Sequence, residues 1–153
     1  MTDFEVNEFL SKQIIGRIGC HADGITYIVP VSYVFEGDFF YGHTAEGMKM
    51  DMLRKNPMVC FEVDDITMLD NWKSVICQGK FEEILDEDEC LEAMKKLNNR
   101  TFPSSTSSIM KFSALWPFSE SNTRDLEGIF FRIKILEKTG RFETSVSEII
   151  MAG

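Results

Sequence analysis

Ile25-Thr-Tyr-Ile-Val-Pro-Val-Ser-Tyr-Val-Phe35 alternates residue by residue, with Ile25, Tyr27, Val29, Val31, Tyr33 and Phe35 in one register and Thr26, Ile28, Pro30, Ser32 and Val34 in the other. A period of two belongs to a strand and not to a helix. The first set is expected to form one buried face. Asp23-Gly24 just before this run is a hairpin signal, and Glu36-Gly37-Asp38 just after it turns the chain into Phe39-Phe-Tyr-Gly-His43. Upstream, Ile14-Ile-Gly-Arg-Ile-Gly-Cys-His21 is apolar and interrupted by glycine, as in a bent strand. Hairpins impose antiparallel pairing, so the centre of the chain is an antiparallel sheet.

The same reading extends to both ends. Thr2-Asp-Phe-Glu5 fits a capping box and opens a helix to about Gln13, with Phe4, Phe9 and Leu10 on its apolar stripe. A short helix is expected from Glu46 to Lys55, with Thr44 as a candidate cap and Asn56-Pro57 as its stop. Strands follow over 58–65 and 72–85, then an amphipathic helix over 86–99 and a last strand over 127–136. Residues 100–126 are serine-rich and broken by Pro103 and Pro117, yet carry Phe102, Phe112, Leu115, Trp116 and Phe118. So many large apolar side chains imply that this stretch packs on something. The tally is six strands and three helices. The expected fold is mainly β, a six-stranded antiparallel barrel with helices outside it.

Composition narrows the function. A chain of 153 residues with 44% apolar content is the length of a single domain, spanning 1–153, with a real core. A net charge of −9 argues against binding nucleic acid through phosphate neutralisation. No apolar run reaches membrane-spanning length, and Met1-Thr-Asp-Phe-Glu5 lacks the basic start of a signal peptide. Cys20, Cys60, Cys77 and Cys90 form no CxxC pair and sit among apolar residues, which suits reduced thiols in a cytoplasmic protein and no metal site.

Four local features could carry chemistry. Pro30 cannot donate to a sheet ladder, so it marks an edge or a bulge. Backbone groups from Val29 to Tyr33 could then bond a ligand with a flat apolar body and a polar rim, such as a flavin; an ordinary protected edge strand reads the same way. His43-Thr44-Ala-Glu-Gly-Met48-Lys49 follows a strand and opens a helix, where free amides, a hydroxyl and an ammonium attract an anion. Thr44 and Lys49 are the side chains to aim at a phosphate, and Met48 would offer its amide. As plain surface residues, Thr44 would cap the helix and Lys49 would be solvated. Trp72-Lys73-Ser74-Val75 sets another cation beside a hydroxyl, and its indole could cover a ring or a neighbouring subunit. Arg17 could pair with a phosphate or with one of the many carboxylates.

Taken in order, Gly16-Arg-Ile-Gly-Cys-His21, Tyr27-Ile-Val-Pro-Val-Ser-Tyr33, Phe40-Tyr-Gly-His-Thr-Ala-Glu-Gly-Met-Lys49, Arg54-Lys-Asn-Pro57, Val59-Cys-Phe-Glu-Val63 and Trp72-Lys-Ser-Val75 resemble the FMN-binding split-barrel family. The similarity is to its pyridoxamine 5'-phosphate oxidase-related, nitroimidazole-resistance-type subgroup. The resemblance spans about residues 12 to 85. It implies a six-stranded split barrel that forms a homodimer with two FMN molecules at the interface. It implies that Pro30, Val31, Ser32 and Tyr33 line the isoalloxazine, that Thr44 and Lys49 hold the phosphate, that Trp72, Lys73, Ser74 and Val75 complete the pocket, and that His43 lies near the flavin. The oxidase members carry Arg-Lys where this chain has Met48-Lys49, and lysine where it has Ser32, which argues against pyridoxamine phosphate oxidation itself. The expected activity is an oxidoreductase passing electrons from a nicotinamide donor to a small oxidised substrate, a nitroaromatic among the candidates. The alternative is a non-catalytic flavin carrier or redox sensor.

Overall fold

The computed structural model describes residues 1–100 and 128–145. The serine-rich stretch expected to pack on something lies, from residue 101 on, outside the described residues. Ten elements follow in chain order: α1 (Asp3–Lys12), β1 (Ile15–Ala22), β2 (Ile25–Ser32), β3 (Val34–Glu36), β4 (Phe39–Thr44), α2 (Met48–Lys55), β5 (Met58–Met68), β6 (Asn71–Glu83), α3 (Glu87–Asn98) and β7 (Ile129–Glu143).

The strands pair antiparallel in the order β2-β1-β5-β6-β7-β4-β3. The two strands at the ends of that order, β2 and β3, are separated in sequence by Tyr33 alone. The sheet's two edges therefore meet at one residue, and the sheet closes into the expected split barrel. This makes seven strands among the described residues where six were expected. The Ile25–Phe35 run pairs with β1 on one side of Tyr33 and with β4 on the other, so it must break where it changes partner. Tyr33 fastens the break: its amide donates to Ile14 O at 2.9 Å and its hydroxyl to Leu10 O at 2.8 Å. Its ring meets Phe40 and Phe61 edge-on at 5.2 and 5.3 Å, and those two stack at 4.2 Å.

The expectation that the whole odd face of Ile25–Phe35 is buried needs correction. Val31 and Tyr33 are buried; Tyr27, Val29 and Phe35 are half-buried against the core, and Ile25 is exposed at the hairpin tip. That tip turns through Asp23 (φ 52°) and Gly24 (φ 76°), the left-handed pair that a two-residue hairpin demands.

The barrel interior is filled by Ile18, Phe40, Phe61, Val63, Val75, Phe131 and Ile133. The capping box at α1 is present: Thr2 N donates to Glu5 Oε2 and Glu5 N to Thr2 Oγ1, while Val6, Phe9 and Leu10 turn inward. Phe4 is not part of that stripe and stands exposed. Helix α3, capped by Asp86 on Glu89 N at 3.1 Å, covers a second cluster in which Ala93, Met94 and Leu97 pack with Ile84 and Phe130. β7 is thus buried on both faces near its start. It also runs further than expected, to Glu143, because it pairs with β6 as far as Trp72. No helix among the described residues is long and apolar enough to cross a membrane.

Candidate functional site

β4 delivers the chain to the first turn of α2, and this corner is where an anion was expected. Helix α2 begins at Met48, two residues later than the sequence pattern suggests. Its N-cap is Gly47, which offers no side chain to the first-turn amides. Thr44, the expected cap, instead ends β4 opposite Ile129 and directs its hydroxyl to Ala45 O at 3.5 Å. The corner is braced from behind, where Arg54 grips Glu46 through two bonds of 2.8 and 2.7 Å and also reaches Glu83. The bidentate grip fixes Glu46 beside the open amides without closing them. Among the described residues, a side chain added at Gly47 would meet nothing within 4 Å.

Lys49 sits in that first turn and is half-buried. Among the described residues no carboxylate lies within ion-pair distance of its ammonium. Burial pulls its pKa below the usual lysine value, opposed only by the Cys20 sulfur of β1, against which α2 packs. A desolvated ammonium without a protein anion is the donor set that an external phosphate satisfies. Met48 is exposed and contributes the first helical amide. His43 is half-buried in β4, its ring 4.6 Å from that of Phe130.

β2 ends the sheet, so among the described residues its outer edge has no strand partner. Pro30 lies in this edge strand opposite Arg17, with its missing N–H no loss to the fold. Pro30 and Ser32 are exposed, whereas the side chains of Val31 and Tyr33 face the core, so those two can serve a ligand through backbone atoms only. Arg100, just past α3, bonds Ser32 Oγ and also donates from Nη1 to Tyr33 O at 3.3 Å. Sequence reading passed over Arg100, because a cation after a helix reads as a complement to its dipole; only the fold brings it to β2.

The third group lies elsewhere on the sheet. Ser74 donates to Glu62 Oε1 at 3.1 Å, and Arg17 donates to Glu62 Oε2 and Asp64 Oδ2, both at 3.1 Å. Arg17 therefore takes the carboxylate option. Trp72 Nε1 donates to Glu143 Oε2 at 3.1 Å, Lys73 is exposed, and Val75 is wholly buried in the barrel. In the sheet register Cys20 faces Val59 and Val59 faces Gly79, five residues from Ser74 along β6. At about 3.3 Å per residue, that separates the Lys49 corner from Ser74 by about 16 Å along the strand. One copy of the chain brings Thr44, Met48 and Lys49 together, and Pro30 and Ser32 together, but sets Lys73 and Ser74 apart from the corner.

The outward side of β2, β1, β5 and β6 carries an apolar groove of about 360 Å³ lined by Gly19, Ile28, Met58 and Cys60 among others. Ile28 and Met58 are exposed, and so is Ile76, one register step along. All four cysteines are free thiols, and burial pushes those of Cys20 and Cys77 upward, the latter to about 12, so neither is a ready nucleophile.

Comparison with known proteins agrees with the fold. The family model described as pyridoxamine 5'-phosphate oxidase matches residues 2–142. A protein of Rhizobium meliloti (strain 1021) is 26% identical over 127 residues, 83% of each chain. The crystal structure of an FAD-binding protein from Mesorhizobium loti superposes with a TM-score of 0.72 at 27% identity, covering 95% of this chain and 96% of that one. A candidate 5-nitroimidazole antibiotic resistance protein from Bacteroides thetaiotaomicron gives a TM-score of 0.69 at 21% identity, over 91% and 82% of the two chains. At that identity the last likeness speaks to the fold alone.

Proposed function

The chain belongs to the pyridoxamine 5'-phosphate oxidase family, and from that premise we propose that it is an FMN-binding oxidoreductase that works as a homodimer in the cytoplasm. The observation that carries the proposal is Lys49: a half-buried cation in the first turn of a helix whose N-cap offers no side chain, with no carboxylate of the described residues within ion-pair distance of its ammonium. A terminal phosphate is the group that such a corner lacks. Lys49 and the Met48 amide would hold it, with the Thr44 hydroxyl at the corner's entrance. The edge of β2 from Pro30 to Tyr33 would meet the polar rim of the ring, and Ser32 would offer its hydroxyl. When bound, FMN supplies hydride and electron transfer between a nicotinamide donor and a small oxidised acceptor such as a nitroaromatic. The protein's own work is to fix the phosphate, orient the ring and keep water from its face.

The distance between Lys49 and Lys73–Ser74 supports the dimer. A second copy would bring its Trp72–Ser74 segment to the first copy's Lys49 corner, Val75 being buried in its own barrel. The apolar groove beside Pro30 would be covered in the same assembly.

Anaerobic mixing of the purified protein with NADH or NADPH tests the proposal. Bleaching of bound flavin, followed by reoxidation with a nitroaromatic, is the expected result. Flavin that stays oxidised makes the protein a carrier or sensor. A protein that takes up no FMN and gains no thermal stability from it contradicts the flavin reading altogether. The Mesorhizobium loti relative is named for FAD, so identifying the released cofactor decides between mononucleotide and dinucleotide.

A further inference from the structure

Arg100 stands at the point where the barrel closes. Its Nε donates to Leu97 O in the last turn of α3 at 2.8 Å, and its Nη1 bonds both Ser32 Oγ and Tyr33 O. These contacts tie α3 to the single residue separating β2 from β3 and orient the guanidinium in between. A guanidinium only donates, so Ser32 must accept from it. A hydroxyl used as acceptor keeps its own hydrogen for a different partner. Ser32 is exposed on the outer edge strand, on the same side as Pro30. Its remaining O–H is therefore available to a partner outside the sheet. Burial lowers Arg100 to about 10, which still leaves it charged at neutral pH.

We propose that Arg100 is a positioning residue that acts through Ser32, holding its hydroxyl as a polarised donor toward the rim of the bound flavin. The inference rests on the flavin reading above. A donor backed by a fixed positive charge is stronger than a free hydroxyl, since hydrogen bonds in a chain polarise one another. Reduction adds electron density to the flavin's polar rim, so this donor favours the reduced form. The Arg100–Ser32 pair raises the flavin's reduction potential as well as its affinity.

The test measures FMN affinity and the two-electron potential of the bound flavin in wild type, Arg100→Gln, Arg100→Lys, Ser32→Ala and the Arg100→Gln/Ser32→Ala double variant, with the melting temperature of each ligand-free protein as a check on folding. Losing a charge-assisted bond is expected to weaken the reduced complex about tenfold more than the oxidised one, a fall of about 30 mV for a two-electron couple. Arg100→Lys should restore most of the potential. Ser32→Ala should lower the potential at least as far as Arg100→Gln, and the double variant should be no worse than Ser32→Ala alone. An unchanged potential in Ser32→Ala overturns the inference even if Arg100→Gln fails to fold. So do additive effects in the double variant, which would make the two residues independent. Wild type that binds FMN beside unaltered variants sinks this inference alone, whereas wild type that binds none sinks the flavin reading with it.

Discussion

At the residue scale, the site turns on a lysine whose surroundings do not suit a charge. Lys49 gives up hydration on folding and gains no carboxylate of the described residues in exchange. Lys55, six residues on, is exposed and bonded to Asp23 at 2.6 Å. Lys49→Ala should therefore weaken FMN about 10- to 100-fold, the range of a charge-assisted bond, while Lys55→Ala changes it little. Equilibrium titration with FMN checks both, and equal losses would contradict the phosphate assignment. The same lysine has a pH signature in the ligand-free protein. Its folded pKa lies below the unfolded value of 10.5, so between the two the unfolded chain binds more protons and stability rises with pH. Relative to a Lys49→Met variant, the ligand-free wild type should gain stability as pH climbs toward 10.5; urea titrations across that range read the difference, and saturating FMN should reverse it. A second residue decides the fold's closure. Tyr33→Phe leaves Leu10 O without its buried donor and should cost about 1–3 kcal/mol, visible as a lower urea midpoint.

At the scale of elements, most of the fold was legible because hydrophobic period, turn residues and caps agreed. Asp23-Gly24 and the Thr2–Glu5 box each took the predicted geometry. The break at Tyr33 was not legible, since the alternation passes through it without a change of period. What breaks the strand is a change of partner, from β1 to β4, and partners are tertiary facts. The early start assigned to α2 failed for a related reason: Thr44 looks like a cap, but pairing with β7 keeps it in β4. Pro30, the tightest local clue, did mark the sheet's edge. Close approach between strands gives a further test. A Cβ at Gly79 would fall 2.6 Å from Ile133 Cγ2 and 2.8 Å from Lys134 O, beside the irregularity between Gln78 and Gly79. Because backbone cannot yield as a side chain can, Gly79→Ala should cost about 1–3 kcal/mol in denaturant unfolding.

At the scale of the whole molecule, one copy sets Lys73 and Ser74 apart along the sheet from the corner at Lys49. Ordered motifs in the sequence singled out both segments but could not show that Trp72–Val75 sits along the sheet from Lys49. Arg17, Glu62, Asp64 and Ser74 satisfy one another on the outward face, while Ile28, Met58 and Ile76 stand exposed near them. That combination of settled charges and uncovered apolar groups is what a subunit interface needs. Ile28→Glu should leave the barrel's stability within about 0.5 kcal/mol, as for an exposed position, yet shift the protein toward monomer and lower FMN affinity. In the proposed function, two copies of this chain enclose each flavin's phosphate at Lys49. Sedimentation velocity of the FMN-loaded protein, followed in the flavin's visible absorption band, tests it most directly. One coloured boundary at the mass of a dimer is expected, carrying one flavin per chain and fainter in Lys49→Ala at limiting FMN. Flavin that travels tightly bound with a monomer, or a dimer that sediments colourless in excess FMN, would contradict it.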